Sequence, residues 1–238
     1  MLAGVAVGAL GPAVVGAQPT IRRLGIFSLL GNSVRVVARN LEEPMFKDVG
    51  MDEIVFATAQ TLVLERHAQA QIRLFRAPDQ ISVDEQLQIG NAAGRRGELP
   101  DWIVQAARRA ELSHVLLVNS HTGAMEFRTG SSQVVGSNQI TGIGFYVGAD
   151  GRVTNQQTGT VSTGYLAPFV QLRVTLLDAA SRAVIHSTGV GEGYIVGPPE
   201  NEAPDPWRYL DRIGKAQALQ QLLKLTLGRG VEAVLKAT

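Results

Sequence analysis

The sequence predicts an α/β fold: a single layered domain with a mixed β-sheet packed by helices, a long polar hairpin or loop insertion, and a long C-terminal helix. Three observations lead there. Short apolar or alternating runs bounded by Gly, Asn and Asp read as strands. Two stretches with helical apolar spacing fall between them, and a third closes the chain. The resulting order is strand, strand, helix, strand, helix, strand, polar hairpin, strand, strand, helix. Helices between strands imply crossovers and hairpins imply antiparallel neighbours, so the sheet is mixed.

Taken in order, residues 21–30 form a strand, Gly31-Asn32 a turn, and residues 33–39 a second strand, which predicts a hairpin. Asp52 is placed to cap a helix reaching about Gln69, with Val55, Phe56, Ala59, Leu62 and Val63 inward and Glu53, Gln60 and Thr61 outward. Residues 72–75 read as a short strand, and residues 81–97 as polar, partly irregular chain. Pro100-Asp101 opens a helix from Trp102 to about Glu111, with Ile103, Ala106, Ala107 and Ala110 at helical spacing. Residues 114–120 are a strand whose Val115-Leu116-Leu117-Val118 centre is apolar on both faces, as in a sheet interior.

From about residue 129 to 163, Gly, Ser, Thr, Asn and Gln dominate; only Ile140–Val147 is apolar, and Ala149-Asp150-Gly151 reads as a turn. Val170, Leu172, Val174 and Leu176 alternate with Gln171, Arg173 and Thr175 in the next strand, which turns at residues 178–182 and returns through 183–187. Gly189, Gly191 and Gly193 are expected to weaken the end of that return. Pro198, Pro199, Pro204 and Pro206 precede a helix from Trp207 to about Leu227. Its wheel places Leu210, Ile213, Ala216, Leu223 and Leu227 opposite Asp211 and Lys215. Leu219, Leu222 and Leu225 lie outside that arc, so more than one side is buried, and Gly228 and Gly230 are expected to interrupt the helix.

Composition excludes several classes. The 238 residues carry 22 Lys+Arg against 21 Asp+Glu, too balanced for a protein held to nucleic acid by phosphate contacts. Hydrophobic residues at 45% allow a sizeable core. With no cysteine there is no disulfide, thiolate metal site or thiol nucleophile. Leu2–Val15 contains only Leu, Ala, Gly, Val and Pro, and Val15-Gly16-Ala17 offers small residues for cleavage. Residues 1–17 are therefore expected to be a signal peptide, although no Lys or Arg precedes the run, and residues 18–238 one exported domain without a transmembrane helix.

Chemical motifs are sparse, and no catalytic, cofactor or metal site is assigned. His114 and His121 fall on opposite faces of a regular strand, and His67 and His186 are remote in sequence, so no metal set forms. No Ser occupies a G-x-S-x-G elbow. Gly142-Ile143-Gly144 and Gly189-Val190-Gly191-Glu192-Gly193 precede no helix and read as twisted or bulged strand rather than a phosphate loop. Glu42-Glu43 and Asp84-Glu85 are adjacent, so their side chains diverge; Arg95-Arg96 and Arg108-Arg109 are too short for a nucleic-acid stripe.

The stretch Val170–Ser187, an alternating strand, an Asp178-Ala179 turn and a short apolar return, resembles the paired strands of a group of bacterial envelope proteins. These are the proteins grouped around the curli secretion channel, the lipoprotein activators of penicillin-binding proteins and the TolB amino-terminal domain. The Ala- and Arg-rich helix leading into a core strand over Trp102–Ser120 and the closing helix from Trp207 agree, so the likeness covers residues 21–238 in element order. It implies a domain that binds envelope protein partners, often as a homo-oligomer, in the periplasm or near the outer membrane. The chain departs from the group in lacking a cysteine to acylate. Ile140–Val147 and Val161–Phe169 are also weak as membrane-inserting arms, being poorly alternating and broken by Pro168, so a solvent-facing partner-contact loop is the expectation. Two function classes stay open: a non-enzymatic accessory or secretion-assembly protein, and a periplasmic hydrolase drawing on Ser137, His121 or Asp178.

Overall fold

The computed structural model describes residues 21–31, 34–38, 50–78, 81–128, 134–154, 159–198 and 205–238. At its centre β1 (Arg23–Ser28) lies between β3 (Gln71–Arg76) and β4 (His114–Ser120), parallel to both. The long strand β8 (Val161–Asp178) organises the rest. One of its edges pairs antiparallel with β7 (Ile143–Thr154) along the first half and with β4 along the second. The opposite edge takes β9 (Val184–Gly193), and β2 (Arg35–Ala38) joins β7 in parallel. A separate ribbon, β5 (Thr122–Arg128) with β6 (Val134–Thr141), completes the β structure.

Strand alternation sends side chains to two faces. On one, Leu24, Ile26, Leu116, Val118, Leu172, Val174 and Leu176 pack under α1 (Met51–Arg66) and α4 (Arg212–Leu235). On the other, Phe27, Val115, Leu117 and Leu177 meet α2 (Val83–Arg96) and α3 (Asp101–Arg109), with Phe27 stacked on Phe75 at 4.4 Å. Further along that second face, the ribbon's Met125, Phe127 and Ile140 cover Tyr165, Ala167 and Phe169. This is the expected α/β domain with a mixed sheet and a long C-terminal helix. Among the described residues no helix is long and apolar enough to cross a membrane.

Five local expectations are corrected. The first two strands do not form a hairpin: β3 and β4 occupy both edges of β1, so β2 travels on to β7. Residues 81–97 are mostly helix, because Ser82 and Glu85 form a capping box and Gly97, at φ 66°, ends it. Only Gln86, Gly90 and Ala93 of α2 are buried, which hid its period. Ala149-Asp150-Gly151 is not a turn; β7 runs through it with a register shift between Gly148 and Arg152.

The last two corrections concern helix ends. Gly50 rather than Asp52 precedes α1, and Asp52 is buried, accepting a hydrogen bond from the Ser28 hydroxyl. Burial raises the Asp52 pKa, opposed by that hydroxyl. Trp207 sits in a 3₁₀ turn, Pro206–Arg208, while α4 starts after its N-cap Asp211 and passes both glycines to reach Leu235. A Cβ at Gly230 would stand 2.7 Å from Val174 Cγ2, so the bare position is what lets α4 lie on the sheet. The buried stripe is Ala218, Leu219, Leu222, Leu223, Leu227, Val231 and Val234. Ile213 is exposed, and Lys215 is buried with Nζ 3.9 Å from the Trp207 ring centroid.

Candidate functional site

Between the two apolar clusters on the second face runs a belt of polar side chains. Arg173, from β8, donates to Asn91 Oδ1 at 2.6 Å, to the Gly90 carbonyl at 3.4 Å and to His121 Nδ1 at 3.3 Å. Ser120 donates to Gln86 Oε1 at 2.7 Å, and Asn119 Nδ2 to the carbonyls of Gln86 and Ser120. Asn119 Oδ1 is a buried atom without a partner among the described residues. Burial, and then the Arg173 charge, pushes the His121 pKa down, which favours the neutral ring that accepts from the guanidinium. Arg173 is lowered by burial and by Arg95.

The glycines of β9 make the belt fit. A Cβ at Gly189 would fall 2.6 Å from His121 Nε2, and one at Gly191 2.4 Å from Gln171. Gly193 yields likewise to Met125. Their period of two keeps one face of the strand bare, so side chains from β8 and the ribbon lie flat against it. Beside them opens a cleft of about 360 Å³ lined by His121, Gly123, Gln171, Gly189, Glu192 and neighbours, with Glu192 ion-paired to Arg229.

A second concavity lies on the opposite face of the molecule. Between the outer sides of α1 and α4 is an open groove of about 740 Å³, lined by Ile54, Ala57, Leu62, Leu225 and Gly228, with Lys224, Arg229 and Glu232 among its polar members. Leu225 is 51% exposed, and a Cβ at Gly228 would meet open space. The groove exists because α1 offers Ala57, Thr58 and Thr61 there and α4 offers Gly228, small residues that leave the two helices shallowly filled.

The residues considered for hydrolysis are not brought together. Asp178 caps its own turn at the far end of β8, accepting from Ala180 N, Ser181 N and Ser181 Oγ; the Ser181 bonds hold its pKa low. His121 lies at the other end of that sheet segment, where its N–H meets the Gln171 carbonyl. Ser137 pairs with Glu126 four positions up the ribbon from the Thr122–Thr141 pair, roughly 13 Å of strand away.

The histidines separate as well. His114 faces the α1 side, Nδ1 2.9 Å from Ser113 Oγ, with its pKa lowered chiefly by burial. His67 Nε2 is 3.3 Å from Thr238 Oγ1, and His186 is exposed on β9. Among the described residues no three His, Asp or Glu converge as metal ligands. Arg95-Arg96 and Arg108-Arg109 end α2 and α3. Residues 1–17 and Glu42-Glu43 lie outside the described residues. Sequence reasoning missed the belt; the alternating glycines at 189, 191 and 193 were its one visible signal.

No family model matches the chain, and no curated protein matches it. Solved structures do. A PelC dodecamer from Paraburkholderia phytofirmans is 13% identical with a TM-score of 0.36, covering 92% of each chain. Protein XCC0632 from Xanthomonas campestris is 11% identical with a TM-score of 0.39, covering 95% of this chain and 90% of its own. Lipoprotein GNA1162 from Neisseria meningitidis is 9% identical with a TM-score of 0.29, covering 89% and 98%. Likeness at that level assigns this chain neither a family nor an activity.

Proposed function

We propose that this protein is an exported, non-enzymatic accessory or assembly component of the bacterial cell envelope that works by binding other proteins, within a secretion or export assembly. The α1–α4 groove carries the reading. It is an open concavity between two helices, lined by an exposed leucine and other apolar side chains together with Lys224, Arg229 and Glu232, the form in which an amphipathic partner helix is received. The donors of the belt's Arg173, Ser120 and Asn119, by contrast, are spent on neighbouring belt side chains and on backbone carbonyls. The apolar start of the chain supports export, and the envelope-group resemblance of Val170–Ser187 supports the location.

A photo-crosslinking amino acid placed at Leu225 or Ile54 in the full chain, expressed in its native cells, tests this. The expected result is one crosslinked envelope protein, or a second copy of the chain, that disappears in Gly228→Arg. Recovery of the uncleaved chain from the cytoplasm, or turnover of a substrate by the purified protein, overturns it.

A further inference from the structure

The open edge of the sheet at β3 is the second surface with a definable partner. Among the described residues the β3 backbone pairs only with β1, through Gln71 N to the Arg22 carbonyl at one end and Ala77 N to the Ser28 carbonyl just past the other. In a parallel ladder the bonded residues alternate, so the N–H and C=O groups of Ile72, Leu74 and Arg76 point away from β1. Among the described residues no strand covers them. Leu74 is 45% exposed, so the edge offers apolar contact as well as backbone groups.

Around this edge the charge is one-sided. Arg22, Arg23, Arg73, Arg76 and Arg109 are all exposed, and Arg23, Arg73 and Arg109 line a small cleft of about 180 Å³ where β3 meets the end of α3. Two carboxylates answer them: Glu111 pairs with Arg23, and Glu53 with Arg76. Arg22, Arg73 and Arg109 have no carboxylate within ion-pair distance among the described residues. Cations on an open edge repel the same edge of a second copy, which is how soluble proteins keep such edges from self-pairing. The same cations attract an acidic strand.

We infer that β3 is a docking edge for an acidic, extended segment of a partner protein, which adds to the sheet as a further strand with its carboxylates against Arg73 and Arg109. The outward ladder of three residues gives the register, Leu74 the apolar contact, and the arginines the selection for negative charge. A nucleic acid or an anionic lipid surface would use the arginines but leave the backbone ladder and Leu74 unused, so a peptide strand fits more of what is present. The inference names a partner chemistry for the binding reading above but uses a different surface from the helix groove.

The test uses the full exported chain and a fluorescent peptide of alternating Val and Glu, read by anisotropy, with backbone amide shifts recorded in parallel. Binding is expected to weaken as salt rises, with the largest shifts at Ile72, Leu74 and Arg76. A peptide with Lys in place of Glu is expected not to bind. Leu74→Pro removes an outward N–H and no bond to β1, and should weaken binding roughly tenfold. Arg73→Glu should weaken it by a similar factor and lower the salt dependence. Wild-type binding by Leu74→Pro with the fold intact, equal binding of the Lys peptide, or tighter binding of oligothymidylate or phosphatidylglycerol vesicles each overturns the proposal. If Leu74→Pro does not fold, wild-type binding by Arg73→Glu does so alone. The groove variant Gly228→Arg is expected to bind the peptide normally, so loss of the groove reading and loss of the edge reading are separate results.

Discussion

Gly90→Ala probes the polar belt most directly. The new Cβ would lie 1.9 Å from Asn119 Nδ2, 2.4 Å from its Cγ and 2.6 Å from its Oδ1, so the whole carboxamide stands where the methyl must go. Asn119 is 1% exposed, and moving it breaks the bonds to the Gln86 and Ser120 carbonyls, at 3.3 and 2.6 Å. Overpacking costs about 1–3 kcal/mol and the lost carboxamide bonds about 1–3 more, while alanine in a helix returns about 1, leaving about 1–5 kcal/mol of destabilisation. In an Asn119→Ala background the methyl has room, so the same change should be neutral or slightly stabilising, a coupling of about 2 kcal/mol or more. Urea unfolding of the four proteins, followed by far-ultraviolet circular dichroism, measures both numbers. A Gly90→Ala midpoint equal to wild type, or an identical cost in both backgrounds, would refute the account of why this helix position is glycine.

Four further outcomes follow from the structure. Leu223→Ala, at a fully buried position of α4, should cost about 2–5 kcal/mol in urea unfolding; Leu225→Ala, two residues on and half exposed, should cost under about 0.5 while losing the groove crosslink from a probe at Ile54. Asp211→Ala removes the acceptor for Gly214 N at 2.6 Å and should cost about 1 kcal/mol by the same assay. For pH, burial holds His114 and His121 below the ordinary 6.5, so they bind protons more readily unfolded than folded. Their contribution is present above about pH 6.5 and lost as the pH falls through their folded values, and His114→Gln with His121→Asn should flatten the decline of the urea midpoint there. Asp178, lowered by its Ser181 bonds, contributes above the ordinary 3.8 and is lost only at more acidic pH, an effect Ser181→Ala should remove.

Some of this architecture was legible because it depends on local pattern. The Val115-Leu116-Leu117-Val118 run could only be an interior strand, and it is buried throughout. The alternation from Val170 to Leu176 set the β8 faces correctly, and Pro100-Asp101 marked the start of α3. What escaped depends on partners distant in sequence. Nothing within residues 33–39 announces pairing with residues 144–147, and α2 hides its inward side because that side meets Asn119 and Arg173 rather than leucines. The glycines read as breakers were spacers: at 189 and 191 the space is taken by His121 and Gln171, and at 230 by Val174 of the sheet under α4. The belt was unreadable for the same reason, since Gln86, Asn119 and Arg173 are ordinary polar residues until the fold juxtaposes them.

The eighteen residues of β8 have a mechanical consequence. Its first half carries the ribbon-covered cluster and its second half the centre of the sheet, so neither can come apart without pulling on the same backbone. The protein should therefore melt in one step, and amides near Gln171, where β4, β7 and β9 converge on this strand, should be among the last to exchange with solvent deuterium.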